Sequence, residues 1–287
     1  MLEFQAFAVS RARSIVSDWG IEDPQEIDLN AIAAEHGVLI LEKPIHGAAA
    51  RLISESDTGV IVVDKDIKEQ GKKRFAAAHE FGHFVLHRNR TPVKVCTDES
   101  FFEWYSKSEI EPESNAFAAE LLMPESMFKA RCKCRVPGFP IVERLAEEFQ
   151  TTLTATAIRF TQFTNQACAL IASKNSKVKW FFLNELFPYH VIGVGSEVHA
   201  FSYARDFFDS GDIPSELEHV LGVAWLEDVK IGEKCFLYED ARAIGSYGIV
   251  LSLIWIDKDT NKRVEDDRSQ HGSDPDHFTP DGKRYRW

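Results

Sequence analysis

The chain reads as an α+β protein with two compact units. Three features of the sequence carry that reading: short strand-type runs ahead of a long apolar helix at 74–87, a pair of helical segments at 139–165, and a change to strand-type patterning beyond Gln166. The expected division is 1–138 as a first domain, 139–165 as a helix-turn-helix-like segment, 166–257 as a second mixed α+β domain and 258–287 as a flexible polar tail. With 287 residues, 44% of them hydrophobic and 27% charged, the chain can bury sizeable cores and has the composition of a soluble globular protein.

Taken in order, Leu2, Phe4, Phe7, Ile15 and Trp19 suggest an amphipathic helix packed on the domain behind it. That stretch carries Glu3 and lacks the apolar run of a secretory signal, and no stretch reaches the length of a membrane span, so the cytoplasm is the expected location. Asp28 caps a short helix through Glu35, which Gly37 ends. Residues 38–41, 49–53 and 59–63 follow as strands of a small twisted sheet, the last two joined by the turn-forming segment 55–58.

Residues 74–87, RFAAAHEFGHFVLH, hold the pattern H-E-x-x-H at His79, Glu80 and His83. Helical residues four apart lie one above the other, so the two imidazoles can converge on one ion. A catalytic zinc takes three protein ligands and keeps one position for water. Glu80, directly after the first histidine, stands where a general base is needed. Phe75, Ala76, Ala77, Ala78, Phe81, Phe84, Val85 and Leu86 make this helix apolar almost all round. A lone histidine there is commonly a hydrogen-bonded core residue, but two histidines and a carboxylate cost desolvation free energy unless something satisfies them. One zinc ion per chain supplies that reason. His87 continues the row, but it lies about 12 Å along the axis from His79, too far to share an ion with bonds of about 2.0–2.1 Å. It reads instead as a last-turn residue favoured by the helix dipole.

The third ligand is sought in SEIEPESNAFAAELLMPESMF, 108–128. Its centre is rich in helix formers, and Pro124 ends it. Glu111 and Asn115 share a face if the helix starts near Ile110, with Pro112 tolerated in the first turn. Glu111 then serves as ligand, and Asn115 holds a histidine ring through its outer nitrogen. Glu113 and Glu120 compete; on this reading Glu113 projects elsewhere and Glu120 faces solvent. Ala116, Ala118 and Ala119 can approach Ala76, Ala78 and Gly82 closely.

Residues 74–124 resemble the ImmA/IrrE-type metallopeptidases, whose signature is R-F-x-x-A-H-E-x-x-H followed by E-x-x-A-N-x-F-A-A-x-L-L-M-P. The chain departs at Ser114, where the family usually has alanine. The resemblance extends over roughly 28–128 and weakens beyond. It implies a zincin-like peptidase domain, Glu111 as the ligand four residues before the asparagine, and a limited, regulatory cut in a cytoplasmic helix-turn-helix repressor of stress-response, phage or mobile-element genes. Some members carry a sensor-like domain after the peptidase; no motif in 166–257 names a ligand.

Two further parts of a cleft are expected. In zinc peptidases an edge strand holds substrate by main-chain hydrogen bonds, and the 48–54 strand, with Ala49, Arg51 and Ile53, is the candidate; the alternative is an ordinary edge strand. Phe101, Phe102, Trp104 and Tyr105 can form a wall, and Tyr105 is a candidate donor to the oxyanion of a tetrahedral intermediate or a packing residue.

In 139–165 the residues Leu145, Ala146, Phe149, Leu153, Ala157, Ile158 and Phe160 supply a buried face. Glu143, Glu147 and Glu148 outnumber Arg144 and Arg159, and the net charge is −12, which argues against direct DNA binding driven by phosphate neutralisation. An acidic enzyme suits a basic protein substrate better. Beyond Gln166, strands are expected at 167–172, 178–183, 191–195, 197–203, 235–239 and 248–257, with helix near 215–221 and a core around Trp180, Phe181, Phe182, Trp225, Leu253 and Trp255. The five cysteines, Cys96, Cys132, Cys134, Cys168 and Cys235, fit free thiols in a reducing compartment, with Cys132 and Cys134 in a basic connector. His271 and His277 stand too isolated to ligate metal.

Two function classes follow: a zinc-dependent endopeptidase, and a DNA-binding or scaffold regulator with a structural metal. Glu80 separates them, because a closed structural site has no use for a carboxylate beside the ion.

Overall fold

A computed structural model describes residues 3–87, 95–96, 110–214, 218–229, 235–244 and 248–256. Tyr105 with its aromatic neighbours and the 258–287 tail lie outside the described residues. The protein is mixed α+β, as expected. It divides into two compact units, one made of 1–131 with 144–156, the other of 132–143 and 157 onward. The expected helix-turn-helix segment is therefore shared between the units.

The first unit opens with α1 (Glu3–Asp18) and α2 (Leu29–Glu35). Asp28 caps α2, its carboxylate accepting from the N–H groups of Asn30 and Ala31 at 3.0 Å each. β1 (Val38–Lys43), β2 (Ala50–Glu55) and β3 (Thr58–Asp64) form a sheet with the two-residue β4 (Val95–Cys96), in the order β1-β3-β2-β4. β1 runs parallel to β3, and β2 is antiparallel to β3 and β4. The inward side chains Val38, Ala50, Leu52, Ile61 and Val63 are buried. α3 (Gln70–His87) packs on β2 and β3 and against α4 (Ile110–Leu122), and α5 (Glu125–Arg131) follows.

Two expectations for this unit are corrected. Phe7 and Trp19 are 62% and 40% exposed, and the buried row of α1 is Ala8, Ala12, Ile15 and Val16. α1 lies against α4, and alanines four apart let two helix backbones approach where a phenylalanine would hold them off. Glu120 does not face solvent either. It is buried, and its carboxylate accepts from Arg13 Nε of α1 at 2.9 Å.

α6 (Phe139–Phe149) and α7 (Leu153–Phe163) are joined by a turn in which Gln150 takes a positive φ of 52°. The second unit is built on β5 (Cys168–Lys174), β6 (Lys177–Leu183), α8 (Tyr203–Ser210), β7 (Glu218–Leu221), β8 (Phe236–Ile244) and β9 (Ile249–Trp255). Its antiparallel sheet has the order β6-β5-β9-β8-β7. Three expected elements differ. Residues 191–195 contribute a single bridge, Val191 to Leu226, and 197–203 another, Glu197 to Lys177. The helix is α8, earlier than 215–221, while Glu218–Leu221 is strand. The reason lies in Ser202, whose hydroxyl oxygen accepts from the Arg205 N–H at 3.2 Å and starts a helix there.

Glu239 organises this unit. Its fully buried carboxylate accepts from the N–H groups of Tyr203 and Ala204 at 3.1 and 3.4 Å, Trp225 Nε1 at 2.9 Å and the Ser252 hydroxyl at 2.8 Å. Burial pushes the carboxyl up, and those four donors pull against it. One side chain thus ties the start of α8, β8 and β9 together.

Candidate metal centre

The site begins with why α3 and α4 come so close. A methyl group at Gly82 would meet Phe117 Cδ1 at 3.1 Å and the Ser114 Cα and carbonyl oxygen at 3.3 Å, so the glycine lets α4 cross closer than a side chain would without displacing its neighbours. The crossing sets the polar residues of α4 beside the histidine row of α3. Every residue of α3 from Phe75 to Phe84 is buried.

His79 Nε2 and His83 Nε2 are 3.0 Å apart, and Glu111 Oε2 lies 3.1 Å from the first and 3.4 Å from the second. Zinc bonds of about 2.0–2.1 Å in tetrahedral array place ligand atoms roughly 3.3–3.4 Å apart, so the triangle is the size an ion needs. Two imidazole nitrogens and one carboxylate form a donor set suited to zinc. Among the described residues, His79, His83 and Glu111 are the one group of three such side chains arranged to hold a metal ion. Burial, opposed by the Glu111 hydrogen bond, lowers the His83 pKa to about 4, which keeps its imidazole neutral and its lone pair available at pH 7. Burial works against charge on Glu111, yet hydrogen bonds from His79 and His83 outweigh it and hold the carboxyl well below its usual range.

The outer nitrogens are engaged too. Asn115 Oδ1 lies 2.8 Å from His79 Nδ1, Ser114 Oγ 3.0 Å from His83 Nδ1, and Glu113 Oε2 2.6 Å from His87 Nε2. Three histidines one turn apart on α3 thus meet three successive residues of α4. His87 is buried and paired with Glu113, where the sequence suggested only a dipole-favoured last-turn residue. Ser114 and the His87–Glu113 rung were missed from sequence. The available signal was three consecutive polar residues, Glu113, Ser114 and Asn115, ahead of a helix half that is apolar but for Glu120.

Glu80 lies on α3 with both carboxylate oxygens buried, about 60° around the helix from His83. Of the strand residues, Ala49 precedes β2 and its carbonyl accepts from the Asp64 N–H at 2.9 Å. Arg51 pairs with Val62 and Val95 and donates to the His46 carbonyl at 2.9 Å, and Ile53 is 55% exposed. Tyr105 lies outside the described residues.

α7 has no exposed residue, and its one cation, Arg159, is buried with its guanidinium over the Phe163 ring, 4.5 Å from the centroid. Among the described residues no helix is long and apolar enough to cross a membrane.

Residues 33–161 match the family described as the IrrE N-terminal-like domain, a peptidase family. A Mycobacterium tuberculosis transcriptional regulator of known structure has a similar fold, with a TM-score of 0.51 at 12% identity over 89% of this chain and 88% of that one. No curated protein matches the sequence. The matched span takes in α3, the α3–α4 crossing and all three members of the candidate centre: residues 33–161 are an IrrE N-terminal-like domain of the ImmA/IrrE type.

Proposed function

We propose that the protein is a zinc-dependent endopeptidase that makes a limited, regulatory cut in a cytoplasmic protein. The observation that carries this is the triangle of His79, His83 and Glu111 on the same buried helix pair as Glu80. Zinc bound to those three side chains supplies Lewis acidity, lowering the pKa of water and polarising a scissile carbonyl. Glu80 takes the proton from the attacking water and returns it to the leaving amine. Asn115 keeps the His79 ring turned toward Glu111. Among the described residues β4 pairs with Ala50 and Arg51 of β2 and nothing pairs with Leu52 to Glu55 on the side away from β3, where an extended substrate can add a strand, with Ala49, Arg51 and Ile53 beside it.

The substrate class we favour is a basic helix-turn-helix repressor of stress-response, phage or mobile-element genes. A net charge of −12 and the resemblance of the paired motifs support it. The similar fold belongs to a transcriptional regulator, which raises a second reading, direct DNA recognition by α6 and α7 with a structural metal. The lack of any exposed residue on α7 and the burial of Arg159 weigh against that reading.

The test is co-expression with helix-turn-helix repressors encoded nearby, comparing the parent and Glu80→Gln by intact mass. The parent should cut its partner once, and Glu80→Gln should retain zinc and fold without cutting. Cleavage by the variant would remove Glu80 as base, and sequence-specific retention of DNA by the protein alone would favour the regulator.

A further inference from the structure

We propose that Ser114 is the positioning residue for His83, holding that ring for metal as Asn115 holds His79. The inference rests on the zinc-site reading above and concerns a residue that neither the motif nor its spacing singles out.

A histidine that ligates through Nε2 carries its proton on Nδ1, and the ring points where the acceptor for that proton puts it. His83 Nε2 faces Glu111 and His79, so its outer nitrogen is Nδ1, and the atom beside it is Ser114 Oγ at 3.0 Å. Ser114 has no exposed surface and His83 is 5% exposed. The contact is therefore shielded from bulk water, and a buried N–H without an acceptor costs free energy.

The hydroxyl also differs from the Asn115 amide in what it permits. Asn115 Oδ1 can only accept, so it favours a proton on His79 Nδ1. In the ligating tautomer that leaves a lone pair on His79 Nε2, which lies 3.1 Å from Glu111 Oε2 and 3.0 Å from His83 Nε2. Without metal, the contact between these two nitrogens is attractive when His83 carries its proton on Nε2; ligation needs it on Nδ1. A serine hydroxyl rotates, donating to Nδ1 in the first tautomer and accepting from Nδ1–H in the second. Ser114 thus keeps one ring orientation through both states, and the two histidines are held before the ion arrives.

The position is built for this. Ser114 sits where α4 crosses Gly82, with its Cα and carbonyl oxygen at the tightest point of the crossing. The backbone that carries the hydroxyl is fixed against the helix that carries His83, so the bond length does not depend on a flexible stem.

The test is Ser114→Ala in the full chain, a loss of one oxygen at a helical position that favours alanine. Zinc affinity is measured by competition with a chelator, and exchange of the His83 Nδ1 proton by NMR at saturating zinc. We expect affinity to fall about ten- to a hundredfold, the His83 Nδ1 proton to exchange faster, and saturating zinc to raise the melting temperature less in Ser114→Ala than in the parent. Unchanged affinity and exchange in Ser114→Ala, beside a parent that binds one zinc, would overturn the role of Ser114 alone. A lower metal-free melting temperature with unchanged affinity would overturn it in favour of packing. A parent that takes up no zinc, or keeps it in His79→Ala, would overturn the zinc site itself.

Discussion

Asn115 Oδ1 and His79 Nδ1 lie 2.8 Å apart in a fully buried contact between α4 and α3. A carboxamide oxygen there favours a proton on Nδ1 and sets the direction of the ring that the proposed zinc site uses. Asn115→Ala should therefore weaken zinc binding by about ten- to a hundredfold, while Asn115→Asp, which keeps an acceptor, should retain most of it. Chelator competition on the purified proteins measures this, and equal affinities for the parent and Asn115→Ala would contradict it.

Glu239 makes the corresponding prediction for the second unit. Replacing it with alanine leaves the Tyr203, Ala204, Trp225 and Ser252 donors buried without their shared acceptor. Each unsatisfied buried donor costs about 1–3 kcal/mol, so the loss should reach at least about 3 kcal/mol even if part of it is recovered by relaxation. Urea unfolding followed by near-ultraviolet circular dichroism reads it. A change below about 1 kcal/mol would mean the carboxylate is dispensable.

The thiols give a pH-dependent prediction. Burial pushes the half-buried Cys134 thiol up, against a weaker pull from the Thr164 hydroxyl, and pushes the fully buried Cys168 thiol well above its ordinary value. The thiolate is the nucleophile, so a raised pKa means less reactive thiol at a given pH. At about pH 8 Cys134 should alkylate more slowly than a free cysteine, and its rate should keep climbing at pH values where the free thiol has levelled off. Cys168 should label only on unfolding. Iodoacetamide labelling with peptide mass mapping across pH decides this, and rapid native labelling of Cys168 would refute it.

How much was legible beforehand depended on whether the information was local. The H-E-x-x-H row, the Asp28 cap, the ends of α4 and the strands 38–41, 49–53 and 59–63 all follow from spacing and turn chemistry within a few residues. The second unit was less legible. Residues 197–203 have strand-like patterning, but Ser202 and Glu239 turn the chain into α8 at Tyr203. Glu239 lies far along the sequence, and no window of neighbouring residues contains it.

From the sequence alone came the identity of the paired histidines, the glutamate beside the first and the acid four residues before Asn115, because helical periodicity maps spacing directly onto a face. Asn115 behind one ring was expected from the same spacing; only the tertiary structure decided what else stands behind the histidine row. Whether Ser114 meets His83, Glu113 meets His87 or Glu120 meets Arg13 depends on how two helices cross at Gly82 and how α1 lies on α4. Packing between separate elements sets those angles, and no periodicity within one element encodes them.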